Sequence, residues 1–292
     1  MSAAAETSKP VADSPWVLAA LTAIMLGAVV ATTILNPQGL VVSRDPGYEA
    51  LPVPLLLVPA VAVIVLTLVL PRGRGSSAMT VRLPSALRSE TAGLLALAVG
   101  FPLIGAVMPR PEDWVLLKAV MFLIVPGTVL AVLARRRGPS VLIAHPVVPA
   151  GIIVLPALLL GVSTNVGPFS QGGPATWPPL AILLIGATAT AITAGLGEEL
   201  MFRRFLQTRL EALAGRWTGI LVASILFGLM HTFSHGDGAL GENAARAIAM
   251  NGTTGLALGL MWSRWRRIWV CVLAHVLLNG FGVLLHLVGL ID

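Results

Sequence analysis

The chain has 292 residues, of which 56% are hydrophobic and only 11% are charged, and its mean hydropathy is +0.89. A soluble globular domain carries about 25% charged residues, so this composition indicates an integral membrane protein and excludes a sizeable soluble domain. The single cysteine, Cys271, excludes both a disulfide bond within the chain and a four-cysteine zinc site.

Nine apolar stretches are long enough to cross a bilayer, which takes about 20 residues per helix. The stretches cover residues 16–35, 51–70, 91–108, 114–134, 141–162, 179–197, 217–233, 244–262 and 268–290. They predict an all-α fold, a polytopic transmembrane helical bundle of about eight to nine spans. An N-terminal tail, 1–15, comes first, and the first two stretches form a candidate accessory transmembrane hairpin, 16–71. The transmembrane helices within 91–177 have no assigned role.

The net charge of +6 is explained by membrane topology. With a cytoplasmic N-terminus, 15 of the 19 basic residues lie in the tail and the even-numbered connections. These residues are Lys9, Arg72, Arg74, Arg82, Arg88, Arg135, Arg136, Arg137, Arg203, Arg204, Arg209, Arg216, Arg264, Arg266 and Arg267. The positive-inside rule therefore predicts a cytoplasmic N-terminus, and the separation of these clusters by apolar stretches argues against nucleic-acid binding.

Two further expectations follow from the basic residues. Lys118 lies just inside the fourth stretch, and we interpret it as a side chain that snorkels to the membrane surface. Arginine outnumbers lysine by 17 to 2, and Ala, Gly and Val are abundant, which is typical of a high-GC bacterial genome. The predicted location is therefore the bacterial plasma membrane, where the multi-pass chain has the lipid bilayer as a partner.

Adjacent carboxylates at the end of the sixth stretch need an explanation, because ionisable groups at membrane depth are costly unless they are paired or face a cavity. Glu199 and Arg203 are four residues apart and can pair on one helix face. Glu198 points about 100° away and is left to face a cavity. The alternative is that the helix has already left the membrane at Glu198, in which case the pattern is a solvated cytoplasmic turn.

Three further polar residues lie in apolar stretches, where such side chains normally face the bundle interior. They are His231, His275 and Asn279, and each alone is compatible with a purely structural hydrogen bond between helices. A helical hairpin that turns near Gly215 would place Glu198 and His231 at about the same height. A carboxylate, two imidazoles and an amide can together support water attack on a carbonyl group.

Other patterns of intramembrane hydrolysis are absent from the sequence. None of the five histidines begins a His-Glu-x-x-His pattern, and no Gly-x-Ser-x-Gly is present. Zincin-like and serine hydrolases are therefore disfavoured.

Three motifs in the last 115 residues follow the patterns EExxxR, FxxxH and HxxxN. They run from Glu198 to Arg203, from Phe227 to His231 and from His275 to Asn279. Together they resemble the CAAX-protease and bacteriocin-processing family, the type II CAAX prenyl endopeptidase-like intramembrane proteases. The resemblance makes 178–292 the expected catalytic membrane core.

The resemblance implies a role for each motif residue. Glu198 would activate water with His231 as its partner, and His275 and Asn279 would form the oxyanion site. Glu199 and Arg203 would organise the site or bind the substrate's C-terminal end. The metal requirement stays open, because Glu198, His231 and His275 could also ligate a divalent metal such as zinc.

The sequence is compatible with two functions from different classes. The first is an intramembrane endopeptidase that hydrolyses a peptide bond of a peptide or protein substrate near the cytoplasmic membrane face. The second is a non-catalytic transporter, immunity or scaffold protein that retains the motifs. No inverted repeat typical of transporters is evident, and the intact set of Glu, two His and Asn favours the protease.

Overall fold

The computed structural model of the chain describes residues 11–43, 46–75, 79–108, 111–233 and 238–291. Most of the predicted N-terminal tail, residues 1–10, lies outside the described residues. Two short strands, β1 (Met79–Val81) and β2 (Val141–Ile143), pair antiparallel. The helices in chain order are α1 (Pro15–Leu35), α2 (Val53–Val69), α3 (Pro84–Gly105), α4 (111–137), α5 (Ala150–Asn165), α6 (Leu180–Ala214), α7 (Arg216–Leu229), α8 (240–265) and α9 (Ile268–Leu287).

The predicted all-α membrane bundle is confirmed. Among the described residues, five helices are long and apolar enough to cross a membrane, namely α1, α3, α6, α9 and the 113–137 part of α4. Helices α2, α5 and α7 are shorter but also apolar. The protein is therefore a multi-pass membrane protein.

The boundaries of α5 and α6 can be compared with the sequence-based prediction, and that of α5 differs from it. The fifth stretch was expected to be helical from residue 141, but Val141–Ile143 forms β2 and α5 begins only at Ala150. Pro146 and Pro149 stand between them, and proline disfavours helix at the residue before it. The helical hairpin expected to turn near Gly215 is present, because α6 continues past its apolar stretch to Ala214 and stops where Gly215 adopts a φ of 98°.

In the part of the chain that the structure describes, three helices contain π-helical turns, in which backbone hydrogen bonds join residues i and i+5. These turns are Ala119–Ile124 in α4, Ala191–Glu198 and Leu200–Gln207 in α6, and Ile248–Gly252 in α8. The π-helical turn of α4 directly follows Lys118, and Glu198 ends the first π-helical turn of α6.

A chain of aromatic rings holds α3, α4, α6 and α7 together. The ring centroids of Phe101 and Phe122 are 4.6 Å apart, those of Phe122 and Phe202 are 5.5 Å apart, and those of Phe202 and Phe227 are 5.4 Å apart. All four side chains are buried. Edge-to-face and tilted aromatic pairs at these distances add to the free energy gained by apolar burial. These four rings therefore fix α6 and α7 against α3 and α4.

The first two helices pack against the motif-bearing part of the chain. Val63 of α2 is fully buried in a cluster with Trp262 and Trp265 of α8. Met25 of α1 packs against Leu221 of α7. The candidate accessory hairpin is thus part of the bundle.

The turns between α6 and α7 and between α8 and α9 lie at one end of the bundle, which we call the basic end. Arg266, which follows α8, forms a buried ion pair with Glu211 of α6. Asp13, just before α1, accepts hydrogen bonds from the backbone N–H groups of Trp217 (3.2 Å) and Thr218 (2.8 Å). This carboxylate stabilises the first turn of α7 and places the start of α1 at the basic end.

Candidate active site

The first motif lies in the middle of α6, where its two π-helical segments meet. Glu198 ends the first segment, and both Glu198 and Glu199 have an exposed fraction of 0%. A π-helical turn redirects successive side chains, and such turns occur often at functional sites. The alternative of a solvated cytoplasmic turn at Glu198 is therefore wrong.

Glu199 binds two partners with its two oxygen atoms. Arg203 Nε donates to Glu199 Oε2 at 3.0 Å, as the four-residue spacing predicted. His275 Nδ1 lies 2.9 Å from Glu199 Oε1. Because an ionised carboxylate only accepts, His275 donates from Nδ1, and in its neutral form Nε2 carries the lone pair.

The Arg203 guanidinium is enclosed without being fully hydrogen-bonded. Its Cζ lies 4.6 Å from the centroid of the Phe227 ring, a geometry that gives a cation–π attraction. Its Nη1 and Nη2 atoms have no hydrogen-bond partner among the described residues. Phe227, the first residue of the second motif, thus packs against the cation of the first motif and also against the ring of His275, at 5.9 Å between centroids.

Glu198 faces both histidines with one oxygen atom. His231 Nε2 is 4.0 Å from Glu198 Oε2, and His275 Nε2 is 3.9 Å from the same atom. Glu198 Oε2 is buried and accepts no hydrogen bond from the described residues. His231 Nδ1 lies 2.9 Å from the Phe227 carbonyl oxygen, so it donates there, and Nε2 is directed at Glu198. The predicted hairpin geometry brings Glu198 and His231 together.

The other oxygen atom of Glu198 is occupied by a residue that the sequence analysis missed. Lys118 Nζ donates to Glu198 Oε1 at 2.6 Å, and its side chain is only 19% exposed. The interpretation of Lys118 as a snorkelling side chain is therefore wrong. A charge count could have found it, because Arg203 neutralises only one of the two adjacent carboxylates and Lys118 is the one lysine within an apolar stretch.

Asn279 lies one turn beyond His275 on α9, yet it is not drawn into this network. Its side chain is exposed and makes no hydrogen bond with the residues that the structure describes. An exposed amide in an apolar helix favours a position at a water-filled opening. The structure thus brings together Glu198, Glu199, Arg203, His231 and His275 and adds Lys118, whereas Asn279 makes no hydrogen bond to them.

The arrangement does not fit a bound zinc ion. Two ligands of a tetrahedral zinc lie about 3.3 Å apart when each is about 2.0 to 2.1 Å from the metal, whereas the imidazole and carboxylate atoms here are 3.9 and 4.0 Å apart. The ammonium group of Lys118 already neutralises Glu198. Within the described ranges, no three His, Cys, Asp or Glu side chains are arranged to hold a metal ion.

Comparison with known proteins supports the resemblance of the three motifs. Residues 178–281 match the family model described as Type II CAAX prenyl endopeptidase Rce1-like. No curated protein and no solved structure matches the chain. The matched segment contains all six predicted site residues, whereas Lys118 lies outside it. Residues 178–281 are therefore similar to the type II CAAX prenyl endopeptidase-like family.

Proposed function

We propose that the protein is an intramembrane endopeptidase in which Glu198 activates a water molecule for attack on a peptide bond. The observation that carries the proposal is the convergence of His231 Nε2 and His275 Nε2 on the unpartnered Oε2 atom of Glu198, at 4.0 and 3.9 Å. A water molecule that lies between these atoms has a hydrogen-bond acceptor for each of its protons. The lone pairs of its oxygen are then available to attack a carbonyl carbon.

The proposed reaction begins with proton transfer from this water to Glu198. The water oxygen bonds to the carbonyl carbon, and the carbonyl oxygen becomes an oxyanion. The hydroxyl group that the water becomes keeps its hydrogen bond to the Nε2 lone pair of His231 or His275, and the side-chain amide of Asn279 donates a hydrogen bond to the oxyanion. The carbon–nitrogen bond then breaks, and the proton held by Glu198 passes to the leaving amine.

Glu199, Arg203 and Lys118 act as positioning residues in this scheme. Glu199 accepts from His275 Nδ1 and so fixes the imidazole tautomer that presents a lone pair at Nε2. Arg203 keeps Glu199 charged and in place. Lys118 occupies one oxygen of Glu198, which leaves the other for water.

The misfit to zinc supports a glutamate-and-water mechanism over metal catalysis. The substrate class is a peptide or protein at the membrane, cleaved near the cytoplasmic face, and the location is the bacterial plasma membrane. A bacterial cell need not contain prenylated proteins, so the proposal does not extend to CAAX processing.

Comparative membrane proteomics tests the activity. Cells that carry the Glu198→Gln protein should accumulate uncleaved forms of membrane-associated proteins that wild-type cells process. The matched control is Glu242→Gln, which breaks an ion pair with Arg246 far along the chain in α8. Equal cleavage patterns in wild-type and Glu198→Gln cells, with both proteins at equal levels in the membrane, would support the non-catalytic alternative.

A further inference from the structure

A cavity of about 280 Å³ lies at the basic end, between α4, α6 and the segment that leads into β2. One wall is formed by Gly127, Ala131 and Ala134 of α4, whose spacing places them along one helix face. A Cβ atom added at Gly127 would meet nothing within 4 Å. This wall is apolar and has open space before it.

The opposite part of the cavity is polar and positively charged. Glu90, which lines it, accepts from Ser140 at 2.6 Å, from Arg137 at 2.8 Å and from Arg209 at 2.9 Å. Two cations thus surround one carboxylate. Neither Glu90 nor Arg209 needs a further partner, since Arg209 also donates to the Phe205 carbonyl oxygen at 3.0 Å.

Arg204 differs from these residues because no anion neutralises it. Its guanidinium lines the same cavity and its Cζ lies 5.8 Å from the centroid of the Trp262 ring. The charges that act on it most are those of Arg209 and Arg266, both positive. In the described part of the chain it forms no hydrogen bond or ion pair. A half-buried arginine among other cations favours an external anion as its partner.

We infer that this cavity binds the phosphate of an anionic phospholipid, with Arg204 as the principal ligand and the α4 wall as the surface for the first acyl methylenes. The apolar wall belongs to the part of α4 that is long and apolar enough to cross the membrane. An acyl chain can pack against such a wall, whereas a free anion would gain nothing from it. A volume of about 280 Å³ accommodates a headgroup and not a whole lipid. Basic pockets between transmembrane helices on the cytoplasmic side are suited to such headgroups.

The site is distinct from the proposed active site, although Arg204 directly follows Arg203 in α6. The inference does not depend on proteolysis, because its test measures lipid binding alone. Its failure would leave the proposed reaction untouched.

The test uses the full-length protein in a neutral detergent and follows its thermal unfolding midpoint. The probes are dioleoyl phosphatidylglycerol, dioleoyl phosphatidylcholine and glycerol 3-phosphate. Binding to the folded state raises the midpoint, so phosphatidylglycerol should raise it more than phosphatidylcholine does. Glycerol 3-phosphate, which has the phosphate without acyl chains, should have little effect at the same concentration.

Four variants test which residues cause the stabilisation by phosphatidylglycerol. Arg204→Gln should raise the phosphatidylglycerol concentration needed for half the effect about five- to tenfold, and Arg204→Lys should lose less. Gly127→Leu, which projects into open space, should weaken lipid binding without destabilising the protein. The control, Arg135→Gln, removes an exposed arginine in the last turn of α4 and should behave as the wild type.

Three results would overturn the inference. Equal loss in Arg135→Gln and Arg204→Gln would indicate diffuse attraction to a basic surface. An equal response to glycerol 3-phosphate would identify a free organophosphate as the ligand. An unchanged lipid response in Arg204→Gln would also refute the inference. If that variant does not fold, Arg204→Lys and Gly127→Leu are compared with Arg135→Gln, and equal lipid responses in all three would refute it.

Discussion

Lys118 Nζ lies 2.6 Å from Glu198 Oε1, so α4 supplies the counter-ion for the first carboxylate of the EExxxR motif. The family-matched segment begins at residue 178, and the lysine is therefore contributed by a part of the chain to which the sequence assigned no role. Glu198 is fully buried, while Lys118 is partly accessible. The pair keeps a charged carboxylate in an apolar bundle and fixes which of its oxygen atoms faces the histidines.

Replacing Lys118 by Met should destabilise the protein, because it leaves the Glu198 carboxylate buried without a counter-ion. Removing one partner of a buried pair costs about 3 to 5 kcal/mol, and the partial exposure of Lys118 places the expectation at the lower end. The double variant Lys118→Met/Glu198→Gln should recover part of this loss. Thermal unfolding in detergent measures the coupling through a double-mutant cycle.

The contribution of the Lys118–Glu198 pair to catalysis can be measured separately from its contribution to stability. Lys118→Arg retains a cation near Glu198, so it should restore folding and part of kcat, with little change in KM. Lys118→Met should lower kcat in whatever fraction remains folded. If Lys118→Met is as stable and as active as the wild type, the lysine does not hold Glu198.

Glu199 is expected to couple to both Arg203 and His275. Arg203→Ala should cost about 3 to 5 kcal/mol, since it leaves a fully buried carboxylate unpaired, and Glu199→Gln combined with Arg203→Ala should cost less than the sum of the single changes. The cycle is measured by thermal unfolding in detergent. Glu199→Gln should also lower kcat, because the glutamine amide can present its NH₂ group to His275 Nδ1 and favour the wrong tautomer.

If Arg203 instead binds the substrate, its replacement should affect substrate binding and not stability. Its Nη1 and Nη2 atoms have no partner among the described residues. If they bind a substrate carboxylate, Arg203→Ala would mainly raise KM. Additive effects of the two substitutions on stability would show that the observed ion pair contributes nothing.

The fold was largely predictable because membrane spans follow from length and hydropathy alone. The predicted start of α5 was wrong because proline residues restrict the backbone there. Pro146 and Pro149 delay the start of α5. The continuation of α6 to the turn near Gly215 agrees with the predicted hairpin, but the sequence did not show its partners: the buried Gln207 side chain donates to Glu211 at 2.7 Å and to the Gly259 carbonyl oxygen at 2.8 Å. Such tertiary partners cannot be read from the periodicity of one segment.

The candidate site was predictable to the extent that its contacts are local. The spacing of Glu199 and Arg203 fixes their pairing within one helix. In contrast, Lys118 is 80 residues from Glu198, and its direction depends on how α4 packs against α6. The sequence also placed Asn279 in the site through motif position, whereas its exposure depends on the rotation of α9.

The predicted topology can now be tested with a structural constraint. Asp13 binds the first turn of α7, so the start of α1 and the turn at Gly215 lie on the same side of the membrane. Reporter fusions after Arg136 and after Arg266 should both have cytoplasmic-type activity. Periplasmic-type activity after either residue would contradict the orientation.

The misfit of the site to zinc predicts that metal removal leaves the protein unchanged. After treatment with a chelator, the thermal unfolding midpoint and any protease activity should equal those of the untreated protein. A site that binds zinc would instead show stabilisation on zinc addition. Stabilisation that is present in the wild type and lost in both Glu198→Gln and His275→Ala would contradict the glutamate-and-water mechanism.

The contact between α5 and α9 should control the position of His275. Asn165 of α5 donates to the Leu278 carbonyl oxygen at 3.2 Å and accepts from the Gly282 backbone N–H at 3.1 Å. At Gly161 the two helices approach so closely that an added Cβ atom would lie 2.4 Å from Leu277 Cβ. At Gly151, on the same helix, an added Cβ atom would meet nothing within 4 Å.

Gly161→Ala is therefore expected to push α9 away from α5 and to destabilise the protein by about 1 to 3 kcal/mol, the usual cost of overpacking. Gly151→Ala should be neutral or slightly stabilising, because alanine is the better helix former. Thermal unfolding in detergent compares the two variants directly. Because α9 carries His275, Gly161→Ala should also lower kcat in the folded protein, whereas equal stability of the two variants would show that α5 does not set the position of α9.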